Sequence, residues 1–310
     1  MVPEAVSRDG AAMTRVVYVN GRYLAYADAR VHAEDRGFQF ADAVYEVIEV
    51  RDGALIDATR HLDRLARSLG EIAMGMPMQR TALGHVLREC VRRNRVSDGT
   101  IYLQVSRGAR PRDFLFPGPD VRQTVVCIAR PASRAAADAR AEAGIAVKTM
   151  PDPRWERCDI KTVMLLPASL AKEAAKAEGA REAWFVDTKG FVTEGASSNA
   201  WIVDEKGRLV TRPLDVDILR GVTRTTLIDV ISRLGLELVE RPFSVLEAMG
   251  AKEAFVTAAT NVVTPVVVID GVRIGGGTPG PVSRRLRAAF HGEAEHSLPR
   301  WPGSDHLSLE

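Results

Sequence analysis

Arg157-Cys158-Asp159-Ile160-Lys161 places a lysine just ahead of a long apolar helix expected over 165–180. Val192-Thr193-Glu194-Gly195-Ala196-Ser197-Ser198-Asn199 places a carboxylate at the end of a strand, followed by small hydroxyl residues. An amine and an acid held among apolar neighbours can, respectively, form a Schiff base with a carbonyl and keep a ring nitrogen protonated. Singly, each half has a plainer reading. A lysine after a strand is usually solvated, and Thr-Glu-Gly is a common turn.

Outward from this pair the chain reads as α+β in two lobes. On the C-terminal side a strand is expected over 145–149. Strands 182–187 and 191–194 flank the turn Thr188-Lys189-Gly190, and 200–203 pairs with 209–211 across Asp204-Glu205-Lys206-Gly207. Strands are expected to dominate until a helix over 224–234, with further strands at 236–239, 254–257 and 262–269 and a last helix over 281–291. On the N-terminal side, Asn20-Gly21 is a strong hairpin signal between strands, and Asp52-Gly53 marks a second hairpin. Apolar residues at helical spacing over 59–73 and 81–93 predict two helices on one side of that sheet, closed by strands at 100–106 and 124–129. The expected organisation is an N-terminal α+β lobe over 15–131, an interdomain linker over 132–143, where Ala, Arg and Asp follow no clear period, and a C-terminal lobe over 144–292. Residues 1–14 and 293–310 read as disordered tails.

The 310 residues carry 42 basic and 40 acidic side chains, so a net charge of +2 provides no field to draw nucleic acid or a membrane surface. Cys90, Cys127 and Cys158 are too widely and irregularly spaced for a disulfide framework or a zinc site, and their odd number suits a reducing, cytoplasmic setting. The N-terminus lacks the apolar core of a signal peptide, and no apolar run is long enough to span a bilayer.

Two stretches could hold a phosphate. Leu219-Arg220-Gly221-Val222-Thr223 leads into a helix start, where free N–H groups and the positive dipole end favour an anion, although Thr223 also reads as a plain N-cap. Ala258-Ala259-Thr260-Asn261 is a small-residue turn that lets backbone approach a ligand. Neither is a dinucleotide or P-loop fingerprint. Residues 107–119 include Arg107, Arg110 and Arg112 among prolines and glycines. The loop is either a mobile connection with solvated arginines or a presenter of guanidinium groups to a carboxylate.

Taken together, the chain resembles the class IV aminotransferases, the pyridoxal phosphate enzymes that include D-amino acid aminotransferases, branched-chain aminotransferases and aminodeoxychorismate lyases. The resemblance covers about 16–290. It rests on Glu34-Asp35-Arg36-Gly37-Phe38-Gln39-Phe40, Val44-Tyr45-Glu46-Val47, His61-Leu62-Asp63-Arg64-Leu65, Arg157-Cys158-Asp159-Ile160-Lys161, Thr193-Glu194-Gly195 with Ser197-Ser198-Asn199, and Gly221-Val222-Thr223-Arg224. The pattern is nearest to the D-amino acid aminotransferases. It implies fold type IV, with a smaller N-terminal α+β lobe, a larger and mostly β C-terminal lobe bearing helices, and pyridoxal 5′-phosphate between them.

By resemblance, Lys161 bonds the cofactor and moves the substrate proton, and Glu194 keeps the pyridine nitrogen protonated. Arg64, Val222 and Thr223 hold the phosphate, with Thr260 near it. Leu219 packs on the ring, Ser197 lies near the cofactor, and Tyr45 lines the substrate side. The family's loop after the third strand carries an Arg-x-His pair that grips the substrate carboxylate across a homodimer interface. Arg112 matches the arginine, but Phe114 stands in the histidine's place, and Arg107 or Arg110 are candidates to compensate. Ala259 stands where a phosphate-binding threonine is usual, with Thr260 beside it. The implied reaction is ping-pong transfer of the amino group of a D-amino acid such as D-alanine to a 2-oxo acid such as 2-oxoglutarate or pyruvate. The alternatives are an (R)-amine or L-branched-chain transaminase, or an aminodeoxychorismate lyase.

Overall fold

Asn20 and Gly21 both take positive φ (47° and 90°), the geometry that matches a tight hairpin to strand twist. They turn β1 (Val16–Val19) into β2 (Arg22–Ala25) in the computed structural model, which describes residues 15–297. The expected tails at 1–14 and 298–310 lie outside the described residues. A short helix α1 (Arg36–Phe40) precedes β3 (Ala43–Arg51), which turns at Asp52-Gly53 into β4 (Ala54–Leu55). Helices α2 (Ala58–Glu71) and α3 (Arg80–Arg93) follow, then β5 (Gly99–Ser106) and β6 (Thr124–Pro131). The six strands form a sheet in the order β2-β1-β6-β5-β3-β4. Val44, Ile48, Ile101, Leu103 and Cys127 on one face pack with Leu65 and Leu69 of α2 and Leu83 and Leu87 of α3. Strand period two then directs Glu46 to the helix side and Tyr45 and Val47 to the opposite face.

The second sheet takes up the rest of the chain. After α4 (Arg134–Ala143) come β7 (Ile145–Pro151), α5 (Leu166–Ala177), β8 (Glu182–Val186), β9 (Val192–Gly195), β10 (Asn199–Val203) and β11 (Leu209–Thr211). Then follow α6 (Val222–Arg233), β12 (Leu238–Glu240), α7 (Val245–Met249), β13 (Glu253–Ala258), β14 (Val262–Ile269), β15 (Val272–Arg273) and α8 (Pro281–Glu293). The nine-stranded sheet runs β12-β11-β10-β13-β14-β7-β8-β9, with β15 on β14. Its two faces bury separate cores. One is built on Trp184, Phe243 and Val256, the other on the stacked Trp201 and Phe255 with Phe290 of α8.

Several segments depart from expectation for local reasons. The stretch expected as a linker, 132–143, contains helix α4, capped by Ser133, whose Oγ accepts from the Ala136 N–H. It buries only Ala141, so no apolar stripe reveals it. Residues 293–297, expected as the start of a disordered tail, are anchored. His296 bridges to Ile56, Ser297 Oγ accepts from the Leu55 N–H at 2.8 Å, and Ala294 is buried. No strand forms over 212–221. Instead Arg212 gathers the segment through ion pairs to Asp187, Asp215 and Asp217. Helix α6 begins at Val222, two residues before the expected start, and its N-cap is Gly221.

One junction decides where the site forms. Tyr45 N–H donates to the Lys161 carbonyl at 3.0 Å and Val163 N–H to the Ala43 carbonyl at 3.1 Å. The lysine segment is thereby hydrogen-bonded alongside the start of β3. Arg67 of α2 pins the same segment through the Asp159 carbonyl and carboxylate, and Ser68 Oγ accepts from the Lys161 N–H.

Candidate active site

A cavity of about 520 Å³ lies between the two sheets, with Lys161 on its wall. The Lys161 ammonium donates to the Tyr45 hydroxyl at 3.3 Å and stands 4.3 Å from the centre of its ring. Tyr45 reaches it from the sheet face opposite the helices, stacked on Tyr102 with ring centroids 5.7 Å apart.

Across the cavity, Glu194 is the next-to-last residue of β9 and is 5% exposed. Its Oε1 accepts from Arg154 Nη1 at 2.5 Å, and its Oε2 accepts from Asn199 Nδ2 at 3.0 Å and the Leu219 N–H at 3.2 Å. Burial pushes its carboxyl up to about 7, against the pull of Arg154 and the Leu219 N–H. Arg154 is itself fixed by Asp152 and lies over the Phe185 ring.

At the third corner, Arg64 of α2 donates through Nε and Nη2 to Glu46 (2.8 and 2.6 Å) and through Nη1 to the Arg220 carbonyl (2.9 Å). Glu46 is fully buried and also bonds His61 Nδ1 at 2.7 Å. Burial acts to raise the Glu46 carboxyl, but the Arg64 guanidinium and His61 outweigh it and hold the group at about 2. Burial likewise depresses the basicity of His61. Arg64 thus points into the cavity from a rigid, charge-balanced socket.

Beside Arg64, helix α6 starts at Gly221 with no side-chain cap, so the first-turn N–H groups of Val222 and Thr223 are free of such a partner. A Cβ at Gly221 would stand 2.1 Å from Asn199 Oδ1, so a larger residue would break the Asn199 link between Glu194 and the Leu219 carbonyl. Thr223 is not the N-cap; it sits in the first turn and is buried. Thr260, Ala259 and Ala258 complete this end of the cavity.

Most of the expected site residues line this one cavity: Lys161, Tyr45, Glu194, Arg64, Leu219, Val222, Thr223, Ser197 and Thr260. The Ser197 hydroxyl is engaged on its outer side, accepting from Lys172 and donating to Glu182 at 2.9 Å each. Arg112 and Phe114 do not line it. They sit on the 107–123 loop, where the Arg112 guanidinium lies over the rings of Phe40 and Phe114. Arg107 is no substitute for a missing carboxylate donor, because it is buried and bound to Asp42 and the Ile72 carbonyl. Arg110 points elsewhere, toward Asp120.

The sequence reading assigned no role to Glu46, His61, Asn199 or Arg154. Glu46 carried a usable signal: a charge in the same phase of β3 as Val44, Ile48 and Val50. Arg154 carried none, since it lies in an irregular run after Asp152-Pro153.

The cavity and the sheets around it define an aminotransferase of fold type IV. Residues 43–269 match the amino-transferase class IV family, and the chain belongs to it. Within that family it is similar to the D-alanine aminotransferase of Staphylococcus haemolyticus, 38% identical over 280 residues, which span 90% of this chain and 97% of the relative. The D-alanine aminotransferase of Bacillus licheniformis is 36% identical over 274 residues, 88% of this chain and 95% of the relative. Among solved structures, the branched-chain amino acid aminotransferase of Escherichia coli has the same fold, superposing with a TM-score of 0.80 at 24% identity and covering 90% of this chain and 94% of that one.

Enzymes of the class use pyridoxal 5′-phosphate, and the residues present fit it. The uncapped helix start beside Arg64 suits a phosphate, the buried carboxyl of Glu194 suits a ring nitrogen, and Lys161 faces the space between them.

Proposed function

We propose that this protein is a pyridoxal 5′-phosphate-dependent aminotransferase that moves the amino group of a D-amino acid of the alanine type to a 2-oxo acid such as 2-oxoglutarate or pyruvate. The observation that carries the reading is the Lys161 ammonium set between the Tyr45 hydroxyl and a cavity that also holds Glu194 and Arg64. The D-alanine aminotransferases matched over most of their length support the substrate class.

In this reading Arg64 and the N–H groups of Val222 and Thr223 bind the phosphate, with Thr260 beside them, while Glu194 holds the ring nitrogen's proton and Leu219 packs on the ring. When bound, the cofactor supplies an electron sink for the charge left as the substrate α-carbon loses its proton. Lys161 takes that proton and returns it, and Tyr45, accepting a hydrogen bond from Nζ, fixes the direction from which it does so. Ser197 borders the ring and is oriented by Lys172 and Glu182.

The substrate carboxylate is assigned to Arg112 of a second copy. Arg112 lies outside its own chain's cavity, and the tip beside it leaves Phe114, Leu115 and Phe116 exposed (78%, 77% and 60%), as an apolar surface that a homodimer would cover. The cytoplasm suits the three free cysteines, and among the described residues no helix is long and apolar enough to cross a membrane.

The test is a half-reaction. Cofactor-loaded protein is mixed separately with D-alanine, L-leucine and (R)-1-phenylethylamine, and loss of the visible cofactor band is followed. Loss with D-alanine alone is expected. Loss with L-leucine or the amine and none with D-alanine would overturn the reading in favour of a branched-chain or amine transaminase.

A further inference from the structure

Phe114 offers no hydrogen bond to a carboxylate, yet its ring is part of an ordered stack. The stack is anchored at Asp42, whose carboxylate accepts from Arg36 Nε at 2.7 Å and from Arg107 Nε and Nη2 at 2.7 and 3.0 Å. Arg107 lies over the Phe116 ring, 3.7 Å from its centroid. Arg36 lies over Phe40 at 4.5 Å, and its Nη1 donates to the backbone carbonyls of Asp113 and Leu115 at 2.6 and 3.3 Å, which fixes the loop on either side of Phe114. The outermost guanidinium, Arg112, stands 5.0 Å from the Phe40 centroid and 5.4 Å from that of Phe114. The two rings meet edge to face at 5.7 Å. Arg36 and Arg107 have their charge answered by Asp42, whereas among the described residues Arg112 forms no ion pair.

We infer that Phe114 and Phe40 are positioning residues whose edge-to-face rings form a corner against which Arg112 rests, so that substrate-carboxylate recognition rests on one preorganised guanidinium in place of a second hydrogen-bond donor. The inference rests on the assignment of Arg112 to the substrate carboxylate. An aromatic ring attracts a guanidinium without accepting from any particular N–H group, so those groups stay available to grip a carboxylate in parallel. The inner arginines keep the loop in place while the outer one stays available.

Steady-state kinetics of the holoenzyme with D-alanine, and the affinity for pyridoxal 5′-phosphate, which carries no carboxylate, test this in wild type, Arg112→Ala, Phe114→Leu, Phe40→Leu and Phe114→Tyr. Loss of one ring surface is expected to raise the D-alanine KM at least about 2-fold with kcat kept and the cofactor affinity unmoved. Phe114→Tyr, which keeps the ring, keeps the wild-type KM. Wild-type D-alanine KM in both leucine variants, or a matching loss of cofactor affinity, overturns the positioning role. Arg112→Ala separates the two levels. If its D-alanine KM is unchanged, the carboxylate assignment itself fails; if it rises while both leucine variants stay at wild type, only the role of the rings fails.

Discussion

Replacing Glu46 by glutamine removes one charge from a fully buried position behind the cavity wall, and its consequences can be worked from the geometry. In the native protein the carboxylate accepts from Arg64 Nε and Nη2 and bonds His61 Nδ1, all within 2.8 Å. A glutamine oxygen can keep one Arg64 contact and its amide can donate to a His61 nitrogen, which leaves the other Arg64 N–H without a partner. Breaking a buried ion pair from one side costs about 3–5 kcal/mol. Acid titration gives an independent measure. The carboxyl is held at about 2, below the ordinary 4.5, so its stabilising contribution is complete above pH 4.5 and is lost as pH falls toward 2. At about 1.4 kcal/mol per pH unit that interval amounts to about 3 kcal/mol. Urea unfolding of wild type and Glu46→Gln, both without cofactor, at pH values between 3 and 7 should therefore show a difference of about 3 kcal/mol near neutrality that shrinks toward the acid end. Arg64 without its socket should also bind pyridoxal 5′-phosphate more weakly while binding of pyridoxal, which lacks the phosphate, is preserved. A constant stability difference across pH, or equal weakening toward both ligands, would refute the argument that Glu46 acts as the ionised partner that aims Arg64.

Lys161→Ala should lower transamination by at least about 10³-fold if, as proposed, Lys161 moves the proton, while far-ultraviolet circular dichroism stays unchanged. Glu194 should give the opposite pH signature to Glu46. Its carboxyl is raised from 4.5 to about 7, so the stability it confers is complete below pH 4.5 and lost as pH rises through 7. The loss is about 3 kcal/mol in the cofactor-free protein, and Glu194→Gln should abolish that slope in the same urea series. Asp42→Asn should cost about 3–5 kcal/mol in urea unfolding, because Arg36 and Arg107 lose their shared buried partner, and should also raise the D-alanine KM by loosening the loop that carries Arg112.

Much of this architecture was legible residue by residue. The Asn20-Gly21 and Asp52-Gly53 turns, the apolar stripes of α2 and α3 and the paired strands around Asp204–Gly207 follow from local rules, because backbone geometry and periodicity are short-range properties. Helix α4 was not legible, since it buries a single alanine and has no stripe to read. Nor was the anchoring of 293–297, because an edge strand accepts a partner through backbone groups that leave little trace in side-chain pattern.

For the site, the family resemblance of six motifs singled out a lysine, an acid, an arginine and a glycine-led helix start, and the fold gathers those residues around one cavity. What each of these groups is worth emerged from packing alone. Arg154, far from Glu194 in sequence, lies against its buried carboxylate. Glu46 and His61 turn a helix arginine into a fixed one, and Asp42 removes Arg107 from the candidates for substrate binding. A residue's type sets the bonds it can form, whereas its charge state, orientation and availability depend on burial and on partners that meet only when distant segments pack together.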